Sequence, residues 1–158
     1  MSGYASGTEV SAERSKAGTE VVVTGLSSYE VCRRTGATYR QLDYWDRSGL
    51  LSPSLAPARG SGTQRRYSEA DVAKAAIVRY LMAQRSREQW AFRTHHTMRN
   101  LPELGGGGRW LVVGVDGGAG VAHDGELERA CAHFGPGAMV IDLEALVPAQ
   151  TAPEQEAS

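Results

Sequence analysis

Two short stretches of the 158-residue chain carry side chains that can hydrogen-bond to an anion or to the edge of a nucleic-acid base. The first, TYRQLDYWDR, holds Tyr39, Arg40, Asp43 and Tyr44 at spacings that share one face of a helix. An arginine guanidinium can donate two parallel hydrogen bonds to guanine or hold a phosphate, and a tyrosine hydroxyl can donate to a phosphate oxygen. This pattern predicts a surface that binds a polyanion.

The second stretch follows in LLSPSLAPARGSGTQRRYS, which is too rich in proline, glycine and serine for a helix. It contains two short extended pieces around a loop, so we predict a β-hairpin wing. The wing would supply a second contact, either by clamping phosphates or by entering the minor groove. Its contact residues would be Arg59, Gln64, Arg65 and Arg66. Arg33 and Arg34, further upstream, would reach the nucleic-acid backbone.

The charge distribution supports this interpretation. Residues 27–101 carry a net charge of +7 and residues 102–158 a net charge of −7, although the whole chain carries only −1. A basic half beside an acidic half indicates a polyanion-binding module joined to a second unit, while a solvated basic surface without a partner is the alternative. The acidic half would stay off DNA and remain free for protein contacts.

The elements that must position these residues are marked by local signals. Capping boxes predict helix starts at Ser27, Thr38 and Ser68. The first two helices, near 28–35 and from 38 to about 48, are joined by a tight glycine turn, which is a helix-turn-helix. A further helix would run from Ser86 through Asn100. The inward-facing residues of these elements would be Leu42, Trp45, Leu50, Tyr67, Val72, Val78, Leu81, Trp90, Ala91, Thr94, Met98 and Leu101.

After the glycines at 105–108 the apolar period changes from helical to alternating. A strand over 109–115, a turn over 116–120, a return strand over 121–123, a helix over 125–134 capped by Asp124 and a last strand over 138–143 give the order β-β-α-β. A unit of this size is small for independent stability, so we expect it to lean on the other half of the chain or on a second copy.

These patterns divide the chain into five segments and place it in the α+β class. Residues 1–26 are a predicted disordered tail, with a short strand at Val21–Val23 as the alternative. Residues 27–101 form the winged helix-turn-helix domain, 102–108 a glycine-rich linker, 109–147 the small dimerisation or partner-binding unit, and 148–158 a second disordered tail.

The order of motifs from Ser27 to Met82 resembles the DNA-binding domain of the MerR family of bacterial transcription regulators. The resemblance depends on a threonine-led recognition helix, LDYWD, SGLLSP, an arginine-rich wing and RRYSEADV in that order, and it weakens from there to Leu101. RQLDYW and GSGTQRRYS are similar to an FtsR-like branch from high-GC Gram-positive bacteria. The resemblance implies a winged helix-turn-helix fold and binding to double-stranded DNA.

Asp43 departs from this family pattern, because many members have arginine at its position. A carboxylate there cannot hold a phosphate. It would either accept a hydrogen bond from cytosine N4 or orient Arg40 through a local salt bridge.

No residue set points to catalysis, to a cofactor or to a metal. Cys32 and Cys131 are predicted to be small core residues, and the adjacent His95 and His96 would face different sides of a helix. His123 and His133 could meet, but they lack a third ligand. The GVDGGAG glycines favour a hairpin turn over a phosphate cradle, because no helix follows them.

We therefore expect a non-enzymatic, cytoplasmic and nucleoid-associated transcription regulator. It would bind repeated half-sites as a homodimer or in tandem copies, with RNA polymerase as a possible further partner and no membrane contact. An excisionase-like or architectural DNA-bending factor is the alternative, and a small-ligand-binding protein is a third reading. The 15 arginines against two lysines suggest a GC-rich bacterial genome.

Overall fold

The structure is a computed structural model that describes residues 24–60, 63–84, 87–104 and 106–147. Predictions for residues 1–23, for Ser86 as a helix cap and for 148–158 lie outside these ranges, as do the side chains of Trp90 and Ala91. Across the described ranges, no helix has the length and apolar character that a membrane crossing requires.

The helix-turn-helix begins with α1 (Ser28–Thr35) and α2 (Tyr39–Arg47). Both predicted capping boxes are present: Ser27 and Thr38 accept from the backbone three residues on, and the side chains of Glu30 and Gln41 accept in return. Gly36 ends α1 in the left-handed conformation at φ 73°, where only glycine avoids a steric cost. The predicted extents of both helices are confirmed.

Two longer helices follow the wing, α3 (Glu69–Ala83) and α4 (Arg87–Arg99). The predicted cap of α3 is confirmed, since Ser68 accepts from the Asp71 N–H at 3.1 Å. On α4, Thr94 is fully buried and Met98 packs against the core, as predicted, and Leu101 just after the helix also packs against the core. Thr97 is also buried, which the sequence did not indicate.

The wing between α2 and α3 has less β structure than a full hairpin. Among the described residues, a single antiparallel bridge joins Ala56 to Arg66, and a second joins Leu26 to Tyr67. The proline- and glycine-rich composition limits the ladder, because proline donates no backbone hydrogen bond. Leu26, at the end of the predicted tail, therefore pairs with the domain.

The C-terminal unit contains β1 (Trp110–Val113), β2 (Ala119–Ala122), α5 (Leu127–Phe134), β3 (Met139–Asp142) and α6 (Leu143–Leu146). The sheet is antiparallel with the order β2-β1-β3. In its register Leu111 stands opposite Val121 on one side and Ile141 on the other. The predicted β-β-α-β order is confirmed, and α6 is an addition.

The boundaries inside this unit differ from those predicted. The turn closes earlier, because Gly114 donates to the Gly118 carbonyl at 2.8 Å, so β2 begins at Ala119 instead of Val121. Asp124 does not cap a helix with its side chain: it accepts from Trp110 Nε1 at 2.9 Å, and a 3₁₀ turn over Asp124–Glu126 precedes α5. Strand β3 ends at Asp142, whose carboxylate caps α6.

Two apolar clusters form the core, and the second joins the two halves of the chain. In it Ile77 and Leu81 of α3 pack with Leu111, Val113 and Ile141 of the sheet. The first cluster lies within the helix-turn-helix and contains Val31, Ala37, Leu42, Trp45, Leu50, Leu51, Tyr67, Val72, Ala75 and Val78. The predicted burial of Trp45 and Tyr67 is confirmed, and the sheet covers one face of α3.

Candidate nucleic-acid interface

Helix α2 presents its polar side chains outward, as the spacing predicts. Tyr39 is 63% exposed, Tyr44 is 58% exposed and Arg40 is exposed, while Leu42 and Trp45 are each 1% exposed. The buried pair anchors α2 on the first core cluster, so the orientation of the outward face is fixed by packing.

A groove of about 610 Å³ runs between the first residues of α1, the first residue of α2 and the wing. Tyr39, Gln64 and Arg65 line it, as predicted for contact residues. Its other lining residues, which the sequence reasoning did not single out, are Ser27, Ser28, Tyr29, Ala58, Gly60 and Thr63. The groove brings wing and recognition helix to one surface.

Arg65 is the link between the wing and α2. Its Nη2 donates to Asp43 Oδ1 at 2.8 Å, and its Nε lies 3.0 Å from Asp46 Oδ2. The side chain is only 12% exposed. The hydrogen bond to Asp43 raises the pKa of the Arg65 guanidinium, and the same bond lowers the pKa of Asp43. The Arg65 cation is paired with two carboxylates of α2 and braces the wing against that helix.

Of the two alternatives for Asp43, the salt bridge to Arg40 is not formed among the described residues, and the contact with cytosine N4 stays a prediction. Its carboxylate pairs with Arg65 and also with Arg47, whose Nη2 lies 2.8 Å from Oδ2. Arg40 forms no ion pair with any residue in the described part of the chain. The Arg40 guanidinium is therefore exposed on α2 without a carboxylate partner there.

The tip of the wing is closed by Thr63. Its hydroxyl accepts from the Arg59 N–H at 2.8 Å and donates to the Arg59 carbonyl. Arg59 and Gln64 are exposed. Arg66 instead has protein partners: its guanidinium donates to the Gly25 carbonyl and to Gln64 Oε1, both at 3.3 Å, and it is absent from the groove lining.

The two arginines at the end of α1 have different surroundings. Arg33 is exposed. The Arg34 side chain is 9% exposed and its Nη1 donates to Glu69 Oε1 at 2.8 Å, which ties α1 to the start of α3. Neither lines the groove.

Buried Asp71 explains why SGLLSP and RRYSEAD occur together. Its Oδ2 accepts from the Ser54 N–H at 2.9 Å, from the Ser54 hydroxyl at 2.6 Å and from the Ser68 N–H at 2.9 Å. Asp71 is 1% exposed. One carboxylate therefore fixes the chain after α2 to the start of α3 and sets the origin of the wing between them.

Tyr29 is the clearest site residue that sequence reasoning missed. It is 75% exposed on α1 and lines the groove. The sequence could have indicated Tyr29, since a large aromatic residue two positions after a capping serine lies on the first turn of the helix, which is open to solvent.

The structure shows the surroundings of Cys32 and His96, two of the residues considered as chemical candidates. Cys32 is half-buried against the first core cluster, and burial raises the pKa of its thiol. His96 of α4 packs against Gly117 in the β1–β2 turn. No cluster of three metal-ligating side chains occurs among the residues that the structure describes.

Comparison with known proteins agrees with this geometry. Residues 26–86 match the family model described as MerR HTH family regulatory protein. Proteins of Mycobacterium bovis and Mycobacterium tuberculosis, each described as an uncharacterized HTH-type transcriptional regulator, are 45% identical over 60 residues.

The matched stretch is 38% of this chain and 27% of those relatives, so the chain spans about a quarter of their length in the alignment. The family-model match over residues 26–86 covers both helices of the helix-turn-helix, the wing and α3. Residues 26–86 of the chain are therefore similar to the helix-turn-helix of the MerR family of regulatory proteins.

Proposed function

We propose that the chain is a sequence-specific transcription regulator that binds double-stranded DNA through α2 and the wing. The observation that carries the proposal is the groove between them, which is lined by Tyr39, Gln64 and the start of α1. Arg40 does not line the groove, but it is exposed on α2 next to Tyr39 in the sequence. Its charge supports the same conclusion, since residues 27–101 carry +7. It would act by binding alone, in association with the nucleoid and without a catalytic step.

The contact residues divide into two roles. Tyr39, Arg40, Tyr44, Arg59 and Gln64 are exposed and would contact DNA directly, with Arg33 at the flank. Arg34, Arg65, Arg66 and Asp43 are held by protein partners and would position the contacting elements. A base contact from Arg40 would read guanine, because the guanidinium matches its two acceptors.

Two copies on repeated half-sites would supply the specificity, because one small module buries too little surface for a useful preference over bulk DNA. The C-terminal unit would join the copies or contact RNA polymerase. The alternative function, a DNA-bending accessory factor, would use the same winged helix-turn-helix. Cooperative filling of tandem sites with strong bending would favour that role over regulation.

Selection of duplexes from a random pool tests the readout. The wild-type chain should enrich a motif with two half-sites, and Arg40→Ala should lose about 1–3 kcal/mol of binding and relax one or two base pairs. Arg33→Ala is the matched control and should weaken all sequences equally. An unchanged motif with Arg40→Ala would show that Arg40 holds the backbone and reads no base.

A further inference from the structure

We propose that Arg79 of α3 is a positioning residue for the recognition helix α2. Its guanidinium clamps the turn between α1 and α2 (residues 36–38) and so sets the position in which α2 meets DNA. The inference rests on the proposed function and deepens it, because it names a residue outside the groove on which the preference for a DNA sequence depends.

Arg79 reaches the turn through a direct hydrogen bond. Its Nη1 donates to the Thr35 carbonyl at 2.9 Å, although the two residues are 44 positions apart. Thr35 is the last residue of α1, where carbonyl groups have no partner within the helix. A cation at the C-terminal end of a helix also complements the helix dipole. Arg79 therefore caps α1 from a different helix.

The guanidinium also lies directly against Gly36. A Cβ at Gly36 would come within 2.8 Å of Arg79 Nη1, 2.9 Å of Cζ and 3.1 Å of Nη2. Three atoms of one guanidinium at nearly equal distances place the group over the glycine. Gly36 therefore has two roles: it takes the positive φ that ends α1, and it leaves the space that Arg79 occupies.

The other hydrogen bonds of the turn are local. The Thr35 hydroxyl donates to the Val31 carbonyl at 2.8 Å and accepts from the Ala37 N–H at 3.2 Å. In the described part of the chain, every other hydrogen bond of residues 35–38 is made within α1, the turn and α2. The bond from Arg79 is thus the polar contact that fixes the turn to α3.

Helix α3 holds the C-terminal sheet and the turn on different sides. Ile77 and Leu81 of α3 pack with the sheet. Residue 79 is midway between them in the sequence, so the helical period of 3.6 residues directs its side chain to roughly the opposite side. Arg79 therefore connects the helix that carries the sheet to the segment that precedes α2.

The clamped turn leads directly into the proposed contact residues. Thr38 is the N-cap of α2, and exposed Tyr39 and Arg40 follow it at once. A binding constellation discriminates only when its side chains are held within about 0.5 Å of the productive geometry. Arg79 itself is absent from the groove lining, so it would act through the position of α2.

The affinities of the full chain for a selected and for an unrelated duplex test this role. Arg79→Ala should lower the ratio of the two affinities at least about tenfold, as the loss of one base contact would. The slope of log Kd against log salt should keep its wild-type value, because no phosphate contact is removed. Arg99→Ala, which removes an exposed arginine of α4, is the matched control and should leave the ratio unchanged.

Arg79→Lys separates the clamp from the charge. Lysine keeps the cation and the aliphatic stem, but it has no planar guanidinium to lie against Gly36. It should therefore recover part of the affinity ratio, between the values for Arg79→Ala and the wild type. If Arg79→Ala does not fold, Arg79→Lys takes its place against Arg99→Lys and must lower the ratio at least about threefold.

Two results on DNA would overturn the proposal. An unchanged affinity ratio in the folded variant, even with a lower melting temperature, would show that Arg79 supports only the stability of the fold. A salt slope smaller by about 0.9 would show that Arg79 is itself a phosphate ligand.

Hydrogen exchange without DNA keeps this proposal separate from the proposed function. Arg79→Ala should speed exchange of the Gly36 and Leu42 amides, which donate to the Cys32 and Thr38 carbonyls, relative to the amides of α4. A wild type that binds both duplexes equally would contradict the regulatory role, and the exchange rates would then decide whether the clamp exists. Unchanged exchange at both amides, with a normal DNA preference in the wild type, would overturn the clamp alone.

Discussion

Arg65 of the wing and Asp43 of the recognition helix are joined by a 2.8 Å hydrogen bond. The two residues are 22 positions apart, and their bond, together with the ion pair of Arg65 with Asp46, links the two elements that would meet DNA. Asp43, which departs from the family pattern, therefore has a structural role, since it anchors the wing to the recognition helix.

Removal of the anchor should disturb both stability and binding. Arg65→Ala leaves Asp43 and Asp46 without their shared cation, so we expect a melting temperature lower by at least a few degrees and weaker binding to every DNA sequence. Arg47→Ala is the matched control, because Arg47 also pairs with Asp43 but is 78% exposed. Equal melting temperatures for Arg65→Ala and the wild type would show that the wing does not need the anchor.

Acid should release the same link. The pKa of Asp43 is lowered in the fold, so its carboxylate stabilises the protein above the usual aspartate pKa, and the contribution is lost as pH falls through the folded value. The melting-temperature difference between wild type and Asp43→Asn should be largest near neutral pH and shrink below about pH 4. A difference that is constant with pH would contradict the assignment.

Buried Asp71 should be the most sensitive polar residue of the helix-turn-helix. Asp71→Asn converts a carboxylate that accepts three hydrogen bonds into an amide, and it should cost about 2 kcal/mol or more of unfolding free energy in urea titrations. Ser54→Ala removes only the hydroxyl's bonds to Asp71 and to the Ser68 hydroxyl, and it should cost about 1 kcal/mol. A larger loss for Ser54→Ala would reverse the roles given to the two residues.

The contact between sheet and helix α3 should make the two halves depend on each other. Leu111→Ala opens the shared cluster and should cost about 2–5 kcal/mol, with faster hydrogen exchange at the α3 amides around Ile77 and Leu81. Val140→Ala, on the opposite face and 37% exposed, should cost less than about 1 kcal/mol. Unchanged exchange in α3 would mean that residues 27–101 fold independently, as the glycine-rich segment at 102–108 suggests.

Local chemistry explains what the sequence could predict. The caps at Ser27, Thr38 and Ser68 satisfy backbone donors within four residues, so they can be predicted from the sequence without knowledge of tertiary contacts. The outward placement of Tyr39 and Tyr44 follows from the helical period once Leu42 and Trp45 are taken as core.

Contacts between distant segments explain the features that the sequence could not predict. The protein partners of Arg34, Arg65 and Arg66 depend on where the wing and α3 lie, so charge alone marked all three only as DNA contacts and did not indicate these partners. The glycines of β2 are also typical of a turn, and the structure shows that Gly120 instead leaves room for the Phe134 ring, since a Cβ there would lie 2.9 Å from it. Helix α6 has four residues, too few for a periodic pattern.

Affinity for a selected duplex and for an unrelated duplex, measured across a salt series, tests the central claim most directly. Binding by α2 and the wing releases phosphate counterions, so log Kd should change linearly with log salt with a slope of several, about 0.9 per phosphate contact. The selected duplex should bind at least about a thousandfold tighter than the unrelated one at physiological salt. A flat plot, or equal affinity for both duplexes, would contradict a sequence-specific DNA-binding function.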